Sequence, residues 1–176
     1  MLKVFLSGAL ALTLAAPAFA AGDATPTAPK PVKECKNGKV WSEKKNRCTK
    51  PENASLTDDQ LYDNVRALAH NERFNDAQSV LSAMSDQSED RVLTYWGFTH
   101  RKLGDIALGM TFYEQAITQN PNNILARSYL GQAHVEAGNL AAARAELHEI
   151  RQRGGADTWA ETSLAAALQS GVTFNY

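Results

Sequence analysis

The distribution of apolar positions from about Leu56 to Ser170 is helical almost throughout. Apolar residues recur at intervals of three and four, which places them on one face of a helix. Short interruptions rich in glycine, asparagine and aspartate divide this region into segments of about 11 to 15 residues, and helices joined by such short connections pack as antiparallel hairpins. The positions at helical spacing are Leu61, Val65, Leu68, Ala77, Val80, Leu81, Met84, Leu93, Trp96, Gly97, Ala107, Phe112, Ala116, Ile117, Leu130, Ala133, Ala142, Ala143, Leu147 and Ile150.

Two windows of 34 residues within this region align without a gap. A weaker unit precedes them at residues 58–87. A period of this length predicts stacked helix pairs, because one pair cannot bury its apolar face alone. The clearest correspondences join Gly97 to Gly131, His100 to His134, and Gly104 to Gly138.

The two windows resemble the tetratricopeptide repeat. The first does so through Trp96-Gly97, Gly104-Asp105, Tyr113, Ala116 and Asn120-Pro121-Asn122-Asn123, and the second through Leu130-Gly131, Gly138-Asn139 and Ala143. The second departs from the pattern at its end, where Gly154-Gly155 replaces the expected proline. The resemblance implies an all-α superhelix of about three helix hairpins. Residues 156–170 are placed to form a C-terminal capping helix, and Gly171 to end it.

The N-terminus has the order of a secretory signal peptide. Lys3 precedes an apolar run from Val4 to Ala16, and small residues follow Pro17. This order predicts cleavage after Ala20 and a periplasmic or secreted mature chain. A membrane anchor is the alternative, but the run is shorter than the roughly 20 residues that span a bilayer. The mature form is therefore expected to have no membrane span.

The residues that follow divide into short units. Residues 21–33 are a proline- and alanine-rich linker. Residues 34–50 contain a turn at Asn37-Gly38 and the strand-like pair Val40-Trp41, and an oxidising compartment favours a Cys35–Cys48 disulfide that closes a small hairpin. A metal site is the rival interpretation, although two thiols without a nearby histidine are a poor ligand set. Residues 51–57 form a second linker, 58–170 the repeat domain with its cap, and 171–176 a tail.

Charge and motifs exclude several classes of function. The chain carries 18 basic and 19 acidic residues, so no global charge favours nucleic acid. His100 and His134 occupy equivalent repeat positions and are expected to be structural, and His148 lies on a solvated face. No nucleophile motif or phosphate-binding glycine loop is present. The sequence therefore predicts a protein that is not an enzyme and that has no cofactor and no metal.

The resemblance implies a partner protein or peptide in the concave groove, which the first helix of each pair lines. An aromatic residue with nearby arginine and lysine suits a peptide with an acidic end. An alternative is a cell-wall or surface-binding protein that acts through residues 30–52, where 8 basic residues face 3 acidic ones, with the repeats as a spacer. That basic arm could equally fold back on the acidic repeats. An exposed stacking end makes a homodimer possible. The expected groove residues are Tyr62, Arg66, Thr94, Phe98, Arg101, Lys102, Ser128 and Gln132.

Overall fold

The computed structural model describes residues 32–174, so the signal-like segment 1–20 and most of the first linker lie outside the described residues. Two short antiparallel strands precede seven helices. The strands are β1 (Val40–Ser42) and β2 (Arg47–Thr49), and a 3-10 turn follows at Pro51–Asn53. The helices are α1 (Asp58–His70), α2 (Phe74–Leu81), α3 (Asp90–Lys102), α4 (Ile106–Gln119), α5 (Ile124–Glu136), α6 (Leu140–Gln152) and α7 (Trp159–Ser170).

Local side-chain chemistry fixes where most of the helices begin. The Thr57 side chain accepts from the backbone N–H of Gln60, whose own side chain accepts from the backbone N–H of Thr57, which forms a capping box. Asp105, Asn123, Asn139 and Thr158 accept from backbone N–H groups at the starts of α4 to α7. Each contact satisfies a helical N–H that has no partner within the helix. The spacing of these caps therefore sets the helix lengths that the repeat requires.

The helices form two layers. The pairs α1/α2, α3/α4 and α5/α6 are antiparallel hairpins, and α7 packs on both α5 and α6. Within one layer α3 contacts α1 and α5, and α5 contacts α7. Helices that touch across successive repeats lie on the inner side of a curved array, so α1, α3, α5 and α7 form the concave layer. This arrangement confirms the predicted all-α array of three hairpins and a capping helix.

The crossing of α3 and α4 depends on two glycines. A Cβ atom added at Gly97 would lie 2.6 Å from the ring of Tyr113, and one added at Gly109 would lie 2.8 Å from the carbonyl oxygen of Gly97. Gly131 repeats the arrangement, because its added Cβ would lie 2.5 Å from Leu164 of the capping helix. The glycines therefore allow contacts between helices that any side chain would block.

The disulfide hairpin belongs to the same folded body as the repeats. Cys35 and Cys48 are bonded, as predicted. Val40 is 1% exposed and joins the apolar core that runs through Leu61 and Val65. On the other side of the hairpin, Arg73 of the α1–α2 connection donates to the carbonyl oxygen of Cys35 at 2.6 Å. The hairpin thus covers the N-terminal end of the helical stack, while α7 covers the C-terminal end.

We predict that Gly97→Ala lowers the free energy of unfolding by about 2 kcal/mol or more, because the new methyl group overlaps the Tyr113 ring. Gly138→Ala is the matched control, since open space surrounds this position and its cost is confined to the left-handed backbone (φ 76°), about 1 kcal/mol. Urea unfolding followed by circular dichroism measures both variants. An equal decrease in the free energy of unfolding for both variants would contradict the conclusion that α3 and α4 cross closely because position 97 has no side chain.

We predict that replacing both cysteines (Cys35→Ser with Cys48→Ser) lowers the free energy of unfolding by about 2 to 3 kcal/mol, because the unfolded chain regains the entropy of a closed loop. The same urea titration with and without reductant supplies the control. Reductant is expected to bring the native chain to the level of the variant and to leave the variant unchanged. A native chain indifferent to reductant would refute a stabilising role for the bond.

Candidate functional site

The inner faces of α1, α3 and α5 form the candidate site. Of the eight residues expected to line it, six are buried and two, Arg66 and Lys102, are half-buried. The helices approach so closely that 11 of the 13 residues of α5 are buried. The accessible part of the inner face is consequently narrower than the sequence implies. The buried members are Tyr62, Thr94, Phe98, Arg101, Ser128 and Gln132.

Four aromatic rings from α1, α3 and α5 occupy the floor of the inner face. Tyr62 meets Tyr95 edge to face, with ring centroids 5.4 Å apart, and Phe98 lies 5.0 Å from Tyr129. Tyr62 and Phe98 therefore contribute mainly to the core. The Arg91 guanidinium lies over the Tyr62 ring, 4.8 Å from its centroid.

A polar cavity of about 160 Å³ opens where the inner helices begin. Asp90 accepts from the side-chain amides of Asn120 at 2.7 Å and Asn123 at 2.9 Å, and Asn123 also donates to Thr94 at 3.0 Å. These bonds join the start of α3 to the turn before α5. The sequence indicated only a turn at Asn120 and Asn123, because nothing local reveals a partner 30 residues away. The remaining lining residues are Tyr62, Arg91 and Leu125.

A buried charge connects α3 to α5 at the opposite end of the inner face. The Arg101 side chain is fully buried, and its Nη1 donates to Glu136 at 3.1 Å. Its Nε and Nη2 atoms are buried without a hydrogen-bond partner. Burial raises the pKa of nearby Tyr113 to about 12, and the Arg101 charge offsets only part of that effect. Glu136 is thus the single carboxylate that compensates Arg101 among the described residues.

Lys102 lies beside this pair and lacks an ion-pair partner among the residues the structure describes. Its ammonium lies 5.9 Å from the centroid of the Phe98 ring. Burial, and then the charge of adjacent Arg101, lowers the pKa of Lys102. The charges of Glu136 and Glu72 act on Lys102 in the opposite direction. A further anion beside the ammonium would stabilise its charged form.

The C-terminal segment also reaches the inner face. The backbone N–H of Phe174 donates to Oε1 of Gln132 at 2.7 Å, and the Thr173 hydroxyl donates to Glu136. Gln132 is linked through Ser128 to Ser163 of α7. The sequence did not reveal this contact, because a segment this short does not indicate which distant residues it meets.

His100 packs among aromatic rings. His100 stacks on Phe112, with ring centroids 5.5 Å apart, and on Trp96 at 5.8 Å. Across residues 32–174, no group of three or more His, Cys, Asp or Glu side chains is placed to hold a metal ion. In that same part of the chain, no helix has the length and apolar character needed to cross a bilayer.

We predict that Glu136→Gln lowers the free energy of unfolding by about 3 kcal/mol, because it leaves the buried Arg101 charge uncompensated. Arg101→Met is the matched variant. It removes the buried charge and leaves Glu136, whose side chain is 24% exposed, hydrated, so we expect a change within about 1 kcal/mol. Urea unfolding measures both. A larger loss for Arg101→Met than for Glu136→Gln would show that the pair itself stabilises the fold.

Comparison with known proteins agrees with this architecture. Residues 100–168 match the tetratricopeptide repeat family. No curated protein sequence matches the chain at a significant level. Among solved structures, the chain is similar in fold to PcrH, crystallised in complex with the chaperone binding region of PopB. The TM-score is 0.53 at 21% identity, over 67% of this chain and 98% of that chain. Residues 100–168 are thus similar to tetratricopeptide repeats, and α1 and α2 continue the same helix packing before the matched residues.

Proposed function

We propose that this chain is an exported, non-enzymatic interaction module that holds a protein or peptide against the inner faces of α1, α3 and α5. The fold supports the general role, since helical repeats offer a continuous surface formed from successive units. The location and the binding mode are our inference.

The half-buried cation at Lys102 is the observation that carries the binding mode. Lys102 lies half-buried at the end of α3, and Arg66 of α1 is also half-buried on the inner face. Arg101 is already engaged by Glu136, whereas Lys102 has no ion-pair partner in the described part of the chain. A carboxylate on a bound segment would find its complement here. The proposed partner is accordingly a protein segment with an acidic group near its anchoring point.

The structural comparison supports a protein as the ligand. PcrH shares the fold and holds a region of PopB in its crystal structure. Because identity is 21%, the likeness extends to the fold alone. The proposal for this chain therefore depends on its own residues.

The disulfide supports export. A bond between Cys35 and Cys48 persists in an oxidising compartment, such as a periplasm or the cell exterior. The signal-like order of residues 1–20 favours the same route. We therefore propose that the mature chain works in the cell envelope or outside the cell.

A second candidate is an anionic surface that binds the hairpin. Lys36, Lys39, Lys44 and Arg47 are exposed and form no ion pair among the described residues. They lie at one end of the array, where a lipid headgroup or cell-wall polymer would meet them. Since Val40 of the same hairpin lies in the shared core, this candidate is better tested by charge substitution than by deletion.

We predict that the double variant Arg66→Ala/Lys102→Ala loses at least tenfold in partner capture, because it removes the cations of the inner face. Affinity capture from the native envelope fraction, quantified by mass spectrometry, measures the effect. Arg144→Ala is the matched control, as it removes an exposed cation from the outer helix α6. We expect the Arg144→Ala chain to capture as much partner as the unaltered chain does.

A third variant, Lys36→Glu/Lys39→Glu, distinguishes the inner face from the hairpin as the binding surface. If this variant no longer captures the partner while the inner-face variant still does, the hairpin is the binding surface and the groove proposal is wrong. Circular dichroism confirms that each variant is folded before its capture is compared.

A further inference from the structure

The tail after α7 turns back onto the inner face instead of leading away from it. Gly171 ends α7 with a left-handed backbone (φ 72°), a conformation that favours glycine. The Ser170 hydroxyl then accepts from the backbone N–H of Val172 at 3.1 Å. These two features fix the direction of the chain, which passes from the end of α7 to the end of α5.

Two polar contacts hold the tail on α5. The Phe174 backbone N–H donates to Gln132, which is 0% exposed, and the Thr173 hydroxyl donates to Glu136, one helical turn further on. Val172 is 61% exposed and Phe174 is 37% exposed. The tail is thus held by a main-chain donor and a hydroxyl, and its exposed valine contributes little.

These contacts are of the kind that would hold a separate extended peptide. Gln132 presents a buried amide oxygen that needs a donor, since an unsatisfied buried acceptor costs free energy. Glu136 presents a carboxylate already fixed by Arg101. Any extended segment that offers a hydroxyl and, one residue later, a backbone N–H satisfies both groups.

We propose that residues 172–174 are an intramolecular occupant of the groove beside α5, and that the partner displaces them. The inference depends on the proposed function, because it names a regulation of the same surface. The partner is an extended polypeptide segment that carries a serine or threonine hydroxyl at the position of Thr173. The tail competes with it, and so sets a threshold for binding.

Because the tail is covalently attached to α7, its effective concentration determines how strongly it competes with a separate peptide. A short flexible link gives an effective concentration of about 1 mM. If the same segment binds in trans with a Kd of about 100 µM, an attached tail weakens an incoming peptide about tenfold.

The experiment compares the mature chain with a variant that ends at Gly171, using a synthetic peptide with the sequence of residues 170–176 as the probe. Nuclear magnetic resonance of the labelled proteins reports the side-chain amide of Gln132 and the backbone amide of Glu136. We expect these signals to shift on titration of the shortened chain, with an apparent affinity about tenfold higher than for the full chain. Circular dichroism confirms that the shortened chain keeps its helices.

Two altered peptides provide the control. Thr173→Val removes the hydroxyl at nearly constant shape and is expected to weaken binding severalfold. Val172→Ala alters an exposed side chain and is expected to leave binding unchanged. Equal weakening by both peptides would overturn the assigned contacts.

The outcomes separate this inference from the proposed function. A folded, shortened chain that does not bind the probe, or that binds it no better than the full chain, overturns the inference even if envelope proteins are still captured. A shortened chain that binds the probe supports the inference, and failure of both chains to capture any envelope protein would then overturn the proposed function alone.

Discussion

The close approach of helices at Gly97 and Gly109 is the contact on which the rest of the array depends. Without a side chain at either position, the backbone of α4 lies against that of α3, and the Tyr113 ring fills the space beside them. Gly131 allows the corresponding contact with Leu164 of α7. Each such crossing sets the angle at which the next pair can pack. The spacing of the inner helices, and therefore the width of the groove, follows from these positions.

A stack of helix pairs has two apolar ends, and this chain covers each with a different structure. At the C-terminal end, α7 packs Leu164 and Ala167 against α5 and α6. At the N-terminal end, a hairpin of two three-residue strands inserts Val40 into the core of α1 and α2. Because so small a hairpin has no core of its own, it is held in place by the disulfide and by the contact from Arg73. The basic side chains of the hairpin are consequently presented by a rigid cap.

The parts that sequence predicted are those governed by local chemistry and by the repeat. The spacing of Gly97 and Gly131 determined the phase of the helix pairs, and the isolated cysteines determined the disulfide. Distant contacts left no such signal. The burial of Val40 follows from docking on another element, and the bonds from Asn120 and Asn123 to Asp90 cross about 30 residues. Because position in the repeat identifies only the inward face of a helix, it could not show that closely spaced neighbours bury Tyr62 and Phe98.

The same close spacing determines what the inner face can bind. It leaves a polar cavity beside Asp90, a half-buried cation at Lys102, and a pair of acceptors on α5 that the tail already engages. A ligand is therefore expected to lie along the face as an extended segment and to make polar contacts. Deep insertion of an apolar anchor is not expected, because aromatic rings fill the floor.

Photo-crosslinking in the native cells tests this account most directly. A photoreactive amino acid placed at position 102 of the inner face is compared with one placed at position 144 of the outer helix. The account predicts a discrete adduct with one partner protein at position 102 and none at position 144. An adduct at position 144 alone, or at neither position while one forms at position 36 of the hairpin, would contradict it.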